Sequence, residues 1–229
     1  MRLLPKDFDR LQRAILALHE CRTVTALKKA LPTILLSLVP ADLFYLMEFE
    51  NSLKAEQVKV VALIDPAQQI KPEQIHYIEG ALLAHPIPKY FMQTGDNTAL
   101  KLSDFYTTTR RLEASEFYER FYHPIGVRRK ITVPVAATAR SLGAIGLCGN
   151  GKDFTERDRL MLNLIRPHID LARRNAERLA DERLKRAQPL TDYGLTRREE
   201  EIARWLAIGK TNAEMAVILA ANVRTVEKH

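Results

Sequence analysis

This sequence has little of what builds metal centres, disulfide frameworks or membrane spans. Its two cysteines, Cys21 and Cys148, stand far apart and fit neither a disulfide framework nor a zinc pattern, so a reducing cytoplasm is the natural setting. The apolar run at residues 31–39 follows Lys28 and Lys29 and is far short of the roughly 20 residues a spanning helix needs. Nothing at the start reads as a signal peptide, and no membrane partner is expected. There is no phosphate-cradling glycine loop, no nucleophile elbow and no His-Glu-x-x-His pair. His76, His85 and His123 could meet in space, but scattered histidines near aromatics are more often structural than ligands. No cofactor or metal is expected, and an enzyme is the least supported class.

What is present is basic charge and one unusually well-punctuated segment. A net charge of +7 favours a polyanionic partner, although many soluble proteins share such a balance. With 229 residues, 46% of them hydrophobic, the chain supports one sizeable core and a small second domain. Residues 195–229 carry three helix starts. Thr196 with Glu199 and Thr211 with Glu214 are capping boxes, Asn222 caps a third start, and Gly209 stands where a left-handed stop is needed. Ile202, Trp205 and Leu206, then Met215, Ile218 and Leu219, then Val223 and Val226 follow helical spacing. The pattern predicts a helix-turn-helix. In its third helix Arg224 and Lys228 share one face with Thr225 beside them, the chemistry that reaches phosphates and guanine edges, while Val223 and Val226 pack inward on Leu206, Met215 and Leu219. The plainer alternative is a helical hairpin with a solvated basic face.

This segment resembles the LuxR-type DNA-binding domain of bacterial transcription regulators. The resemblance rests on Leu195, Thr196, Arg198, Glu199 and Glu201, on Gly209, Thr211, Asn212, Glu214 and Ala216, and on Arg224, Thr225, Val226 and His229. It implies double-stranded DNA as partner, with Thr211, Asn212, Arg224, Thr225, Lys228 and His229 as contact residues. Glu227 departs from the lysine many members carry there. The chain reaches only into the recognition helix, and the family's closing helix does not follow. The expectation is therefore that residues 196–219 fold as a helical pair, that 222–229 are frayed or borrowed by a neighbour, and that specific DNA binding is weak. The alternative function is a ligand-binding or interaction module that does not bind DNA.

The remainder reads as one α+β domain. Helices are expected at 7–18 and 24–39, the second opened by Thr23 or Thr25 and ended by Pro40. Strands are expected at 43–49 and 58–64, joined through 51–56, and a helix at 72–84. Residues 85–107, with Pro86, Pro88 and Gly95, read as an irregular loop. A helical, aromatic stretch follows at 112–122, then strands at 130–137 and 142–149 joined at 138–141. This order, an antiparallel sheet flanked by helices, resembles GAF-type sensor domains, and the local sequence is similar to LuxR-type regulators with a GAF-like N-terminal half. That likeness rests on residues 90–102, on Ser103-Asp104-Phe105, on Phe117-Tyr118 and 121–127, on 153–158, and on Arg166-Pro167-His168.

A long helix opened by Thr155 and Asp158 joins the parts. Met161, Ile165, Ile169, Ala172, Ala176 and Leu179 form its apolar stripe, read either as domain core or as the seam of a homodimer, and Pro189 ends the charged tail. The expected division is a GAF-like sensory domain at 1–153, a connecting helix and linker at 154–189, and the helix-turn-helix at 190–229. Most of the aromatics are expected in the core. Tyr45, Tyr90, Phe105, Phe117 and Phe121 are candidates to line a pocket for a small-molecule effector. The chain opens with helices, unlike a phospho-receiver. Acyl-homoserine-lactone receptors of the LuxR type rely on tryptophans in the ligand domain, whereas Trp205 lies in the DNA-binding segment.

Overall fold

The computed structural model describes residues 3–50, 59–68, 70–138, 141–186 and 194–228. The fold is mixed, a five-stranded antiparallel sheet covered on both faces and followed by a helical C-terminal unit. Helix α1 (Pro5–Glu20) starts with proline at its first position, where no backbone donor is lost. Helix α2 (Val24–Leu38) starts at Thr23, whose hydroxyl accepts from Ala26 N–H at 3.0 Å. Strands β1 (Leu43–Glu50) and β2 (Val60–Ile64) follow; the expected 51–56 connection lies outside the described residues. Helix α3 (Pro72–Ala81) ends in a 3-10 turn, Leu82–Ala84.

Residues 85–107 are not a loop. They form helix α4 (Pro86–Thr94), the short strand β3 (Leu100–Lys101) and a 3-10 turn. The prolines that looked like breakers sit in the first turn of α4, where proline is tolerated, and His85 caps it by accepting from Ile87 N–H. Gly95 closes it with φ 67°. The expected helix at 112–122 is also divided, into α5 (Thr109–Glu113) and a π-type turn, Tyr118–Tyr122.

Strands β4 (Arg129–Thr138) and β5 (Ser141–Gly149) complete the sheet in the order β2-β1-β5-β4-β3. Both faces are buried, so β1 reads as a continuous apolar run rather than an alternation. Phe44 and Leu46, Ile131, Val133 and Val135, and Ile145 and Leu147 meet α1, α2 and the long α6 (Glu156–Arg186) in one core. Leu43, Tyr45, Met47 and Cys148 meet the α3–α5 crossover in another. Asp158 caps α6 as expected, accepting from Thr155 N–H at 2.8 Å.

The stripe on α6 belongs to the first core except at its last residue, Leu179, which is half-buried. Met161, Ile165, Ile169, Ala172 and Ala176 are each at most 3% exposed in a single chain, so they are occupied by α1, α2 and β4 and cannot form a dimer seam. A buried carboxylate ties this core together. Glu48 of β1 accepts from Lys28 Nζ of α2 at 2.9 Å and from Arg173 Nη1 of α6 at 3.0 Å, pinning the two helices to that strand. The break expected at Pro189 lies outside the described residues.

Candidate nucleic-acid interface and buried polar site

The C-terminal unit is built from α7 (Arg197–Ala207), α8 (Asn212–Ile218) and α9 (Val223–Lys228). Both capping boxes are made: Thr196 and Thr211 hydroxyls accept from Glu199 and Glu214 N–H, and each glutamate accepts from the backbone N–H of its threonine. Asn222 Oδ1 accepts from Arg224 N–H at 3.0 Å and opens α9. Residues 223–228 are therefore helical, not frayed. Their anchor is Val226, 3% exposed, against Ile202, Met215 and Ala216, with Trp205, Leu219 and Ala221 around them.

Two residues expected inside that core lie outside it: Leu206 is 54% exposed and Val223 38%. On six residues of helix only one position per turn faces fully inward, and Val226 takes it. Arg224, Thr225 and Lys228 are exposed on the outer side of α9, and Thr211 and Asn212 are exposed at the start of α8. His229 lies outside the described residues. Arg198 braces the unit by donating to Glu201 and to the Leu219 carbonyl. The exposed donors thus stand on a three-helix frame with one small sealed core.

The five aromatic candidates all belong to the second core. Tyr45, Phe117 and Phe121 are buried in it, and Tyr90 and Phe105 pack on its edge as a T-shaped pair with centroids 6.0 Å apart. At the centre lies a polar group that the residue pattern alone did not single out. Lys130 Nζ donates to Tyr122 Oη at 3.2 Å, and Tyr122 Oη lies 2.7 Å from His85 Nε2. Lys130 also stands over the rings of Tyr45 and Tyr122, 5.3 and 5.4 Å from their centroids. Burial drives the Lys130 ammonium down to about 8 and pushes the Cys148 thiol up to about 12. Burial, then the neighbouring lysine, takes His85 well below its ordinary value, so its ring is neutral.

Strand register explains the arrangement. Tyr45, Gly146 and Thr132 form one row across β1, β5 and β4, and Leu43, Cys148 and Lys130 form the next. A Cβ on Gly146 would stand 2.2 Å from the Tyr45 ring, so only glycine lets that ring lie across the strand. His76 and His123 do not join His85, and among the described residues no group of His, Cys, Asp and Glu could hold a metal ion. Cys148 is core, and Cys21 is half-buried, donating to the Ala17 carbonyl. No described helix is long and apolar enough to cross a membrane.

Residues 194–229 match the model for bacterial regulatory proteins of the luxR family. This C-terminal segment is a luxR-family helix-turn-helix. Over 80 residues the chain is 31% identical to the transcriptional activator protein YukR of Yersinia ruckeri, a match covering 35% of each protein. Among solved structures, the VqsR LBD domain of Pseudomonas aeruginosa aligns with a TM-score of 0.53 at 15% identity, over 77% of this chain and 99% of that one. Escherichia coli SdiA aligns with a TM-score of 0.52 at 22% identity, over 97% of this chain and 87% of that one. At these identities the structural likeness speaks for the fold.

The luxR-family segment also touches the sheet domain. Thr25 Oγ1 of α2 donates to the Gly209 carbonyl at 3.2 Å, and Lys28 Nζ lies 3.8 Å from Glu214 Oε1. Gly209 is needed there twice over: its φ is +84°, and a Cβ would stand 2.8 Å from Thr25 Oγ1. The same lysine therefore contacts Glu48 in the sheet and Glu214 in the capping box of α8.

Proposed function

We propose that the chain is a cytoplasmic transcription regulator that binds double-stranded DNA through its luxR-family segment, under the control of a small molecule held by the N-terminal domain. The observation that carries this reading is α9, with Val226 buried against Met215 and Ile202 while Arg224, Thr225 and Lys228 stay exposed. A helix anchored on one side and donor-rich on the other is what enters a major groove. Thr211 and Asn212 are assigned to phosphate, and His229, outside the described residues, is assigned to the DNA contacts from the sequence pattern alone. The domains assigned are a GAF-like sensory part at 1–153, a connector at 154–189 and the DNA-binding part at 190–229.

The effector is assigned to the second core, among Tyr45, Tyr90, Phe105, Phe117 and Phe121. A homodimer belongs to this reading, because paired helix-turn-helix units read two half-sites. Its seam must use positions other than the buried α6 stripe, and Leu164 and Leu171, 36% and 39% exposed on α6, are available.

The test is selection of duplexes from a randomised library, followed by gel shifts over a salt series. Arg224→Ala should weaken the selected duplex by roughly 1–3 kcal/mol. Failure to enrich any sequence, or unchanged affinity for the variant, would refute the assignment.

A further inference from the structure

The polar group in the second core has more donors than acceptors. Ile87 N–H donates to His85 Nδ1 at 3.2 Å, so in the neutral ring the proton sits on Nε2 and is donated to Tyr122 Oη. Lys130 Nζ donates to the same oxygen. The Tyr122 hydroxyl thus accepts twice, and its own proton has no acceptor among the described residues. Lys130 uses one of its three protons, and no carboxylate among the described residues lies within ion-pair distance of it. Two residues along β4 on the same face, the buried Thr132 hydroxyl makes no well-formed hydrogen bond, and its polar neighbour is the side chain of Tyr45, the ring that lies across Gly146. Surplus donors from β4 and the π-type turn therefore converge on one spot, where a buried cation has no counter-ion among the described residues.

A protein interior does not keep such an imbalance for stability, since an unpaired buried charge and an orphaned hydroxyl both cost free energy. The missing complement is an anion with several acceptor lone pairs. Its surroundings are apolar and aromatic: Met47, Ile87, Leu102, Phe117 and Phe121. We infer that the second core takes a small carboxylic acid with an apolar body, its carboxylate held by Lys130, Tyr122 and Thr132 and its body packed among these rings. Tyr45, lying across Gly146, is the ring that must swing to admit it. This rests on the reading that the N-terminal domain holds an effector, and it adds the effector's chemical class.

The experiment uses the whole chain and two matched probe pairs, octanoate with octanamide and phenylacetate with phenylacetamide, each followed by calorimetry and thermal shift. At least one acid should bind at least tenfold more tightly than its neutral amide. Lys130→Met should abolish that preference while leaving a folded protein, and Thr132→Val, which keeps the shape and removes the orphaned hydroxyl, should weaken the acid several-fold. An amide that binds as well as its acid, acid binding that survives Lys130→Met, or no binding of either acid at millimolar concentration overturns the inference. Gel shifts on the same preparations separate the two readings. Acid binding without DNA binding would sink the regulator and keep the site, and DNA binding with amide-selective binding would do the reverse.

Discussion

Replacing Lys130 by methionine should make the ligand-free protein more stable, and the gain should vanish at high pH. Burial lowers the ammonium from 10.5 to about 8, which makes its protonated form roughly 3 kcal/mol less favourable in the folded chain than in the unfolded one. That cost is fully present below pH 8, where both states hold the proton. It is relieved as pH rises from 8 towards 10.5, where the unfolded chain still binds a proton that the folded one has released. Methionine has similar length and no charge. It forfeits the bond to Tyr122 Oη, about 0.5–1.5 kcal/mol, while His85 continues to satisfy that oxygen. The expected net gain at neutral pH is therefore about 2 kcal/mol, or several degrees in Tm for a chain of this size. Urea unfolding of both proteins at neutral and alkaline pH, followed by circular dichroism, measures it. The sole tryptophan, Trp205, reports the C-terminal helices and should move little. A variant less stable than the parent at pH 7, or a gain independent of pH, would show that Lys130 is a structural strut and refute the reasoning.

Three other perturbations probe different parts of the fold. Glu48→Ala removes the buried carboxylate that Lys28 and Arg173 share and should cost about 3–5 kcal/mol of stability in urea melts. Met215→Ala empties the centre of the C-terminal core and should cost about 2–5 kcal/mol, seen as a lower midpoint in Trp205 fluorescence. A hydrogen bond from Arg157, then one from Leu4 N–H, holds the Asp7 carboxyl down to about 2. Its contribution is complete above the ordinary carboxylate range and is lost as pH falls towards 2, so Asp7→Asn should flatten the acid limb of a stability–pH curve.

The capping signals were readable because they are local. A threonine and a carboxylate three residues apart close a capping box wherever the backbone turns helical, as Thr155 does with Asp158, Thr196 with Glu199 and Thr211 with Glu214. The proline signal is less specific, since it ends a helix from the inside and begins one from the first turn. Pro86 and Pro88 begin α4, and nothing local distinguishes the two uses until Gly95 is recognised as its stop. The α6 stripe left two readings open, core or seam, for another reason, and the structure takes the core. Helical spacing gives the width of an apolar face and says nothing of what covers it, and here α1 and α2 cover it from the same chain. Leu206 and Val223 show the same limit at small scale.

The buried lysine was legible in principle. In isolation Lys130 follows Arg128 and Arg129 and looks like the solvated rim of a strand. Period two removes that freedom: once Ile131, Val133 and Val135 are assigned to the helix-covered face, Lys130 and Thr132 must point to the other. That other face is apolar in β1, where Leu43, Tyr45 and Met47 alternate with Phe44 and Leu46, so it too is covered. Lysine in the middle of a two-sided buried sheet therefore contradicts the local pattern, and contradictions of this kind gather at binding sites and strained positions. The partners could not be read in the same way. His85 caps α4 and Tyr122 lies in an irregular turn, and they reach Lys130 only through the crossover's tertiary course. Sequence pattern thus locates the charge that must be explained, and only the fold identifies the hydroxyl and the imidazole around it, with no counter-ion among the described residues.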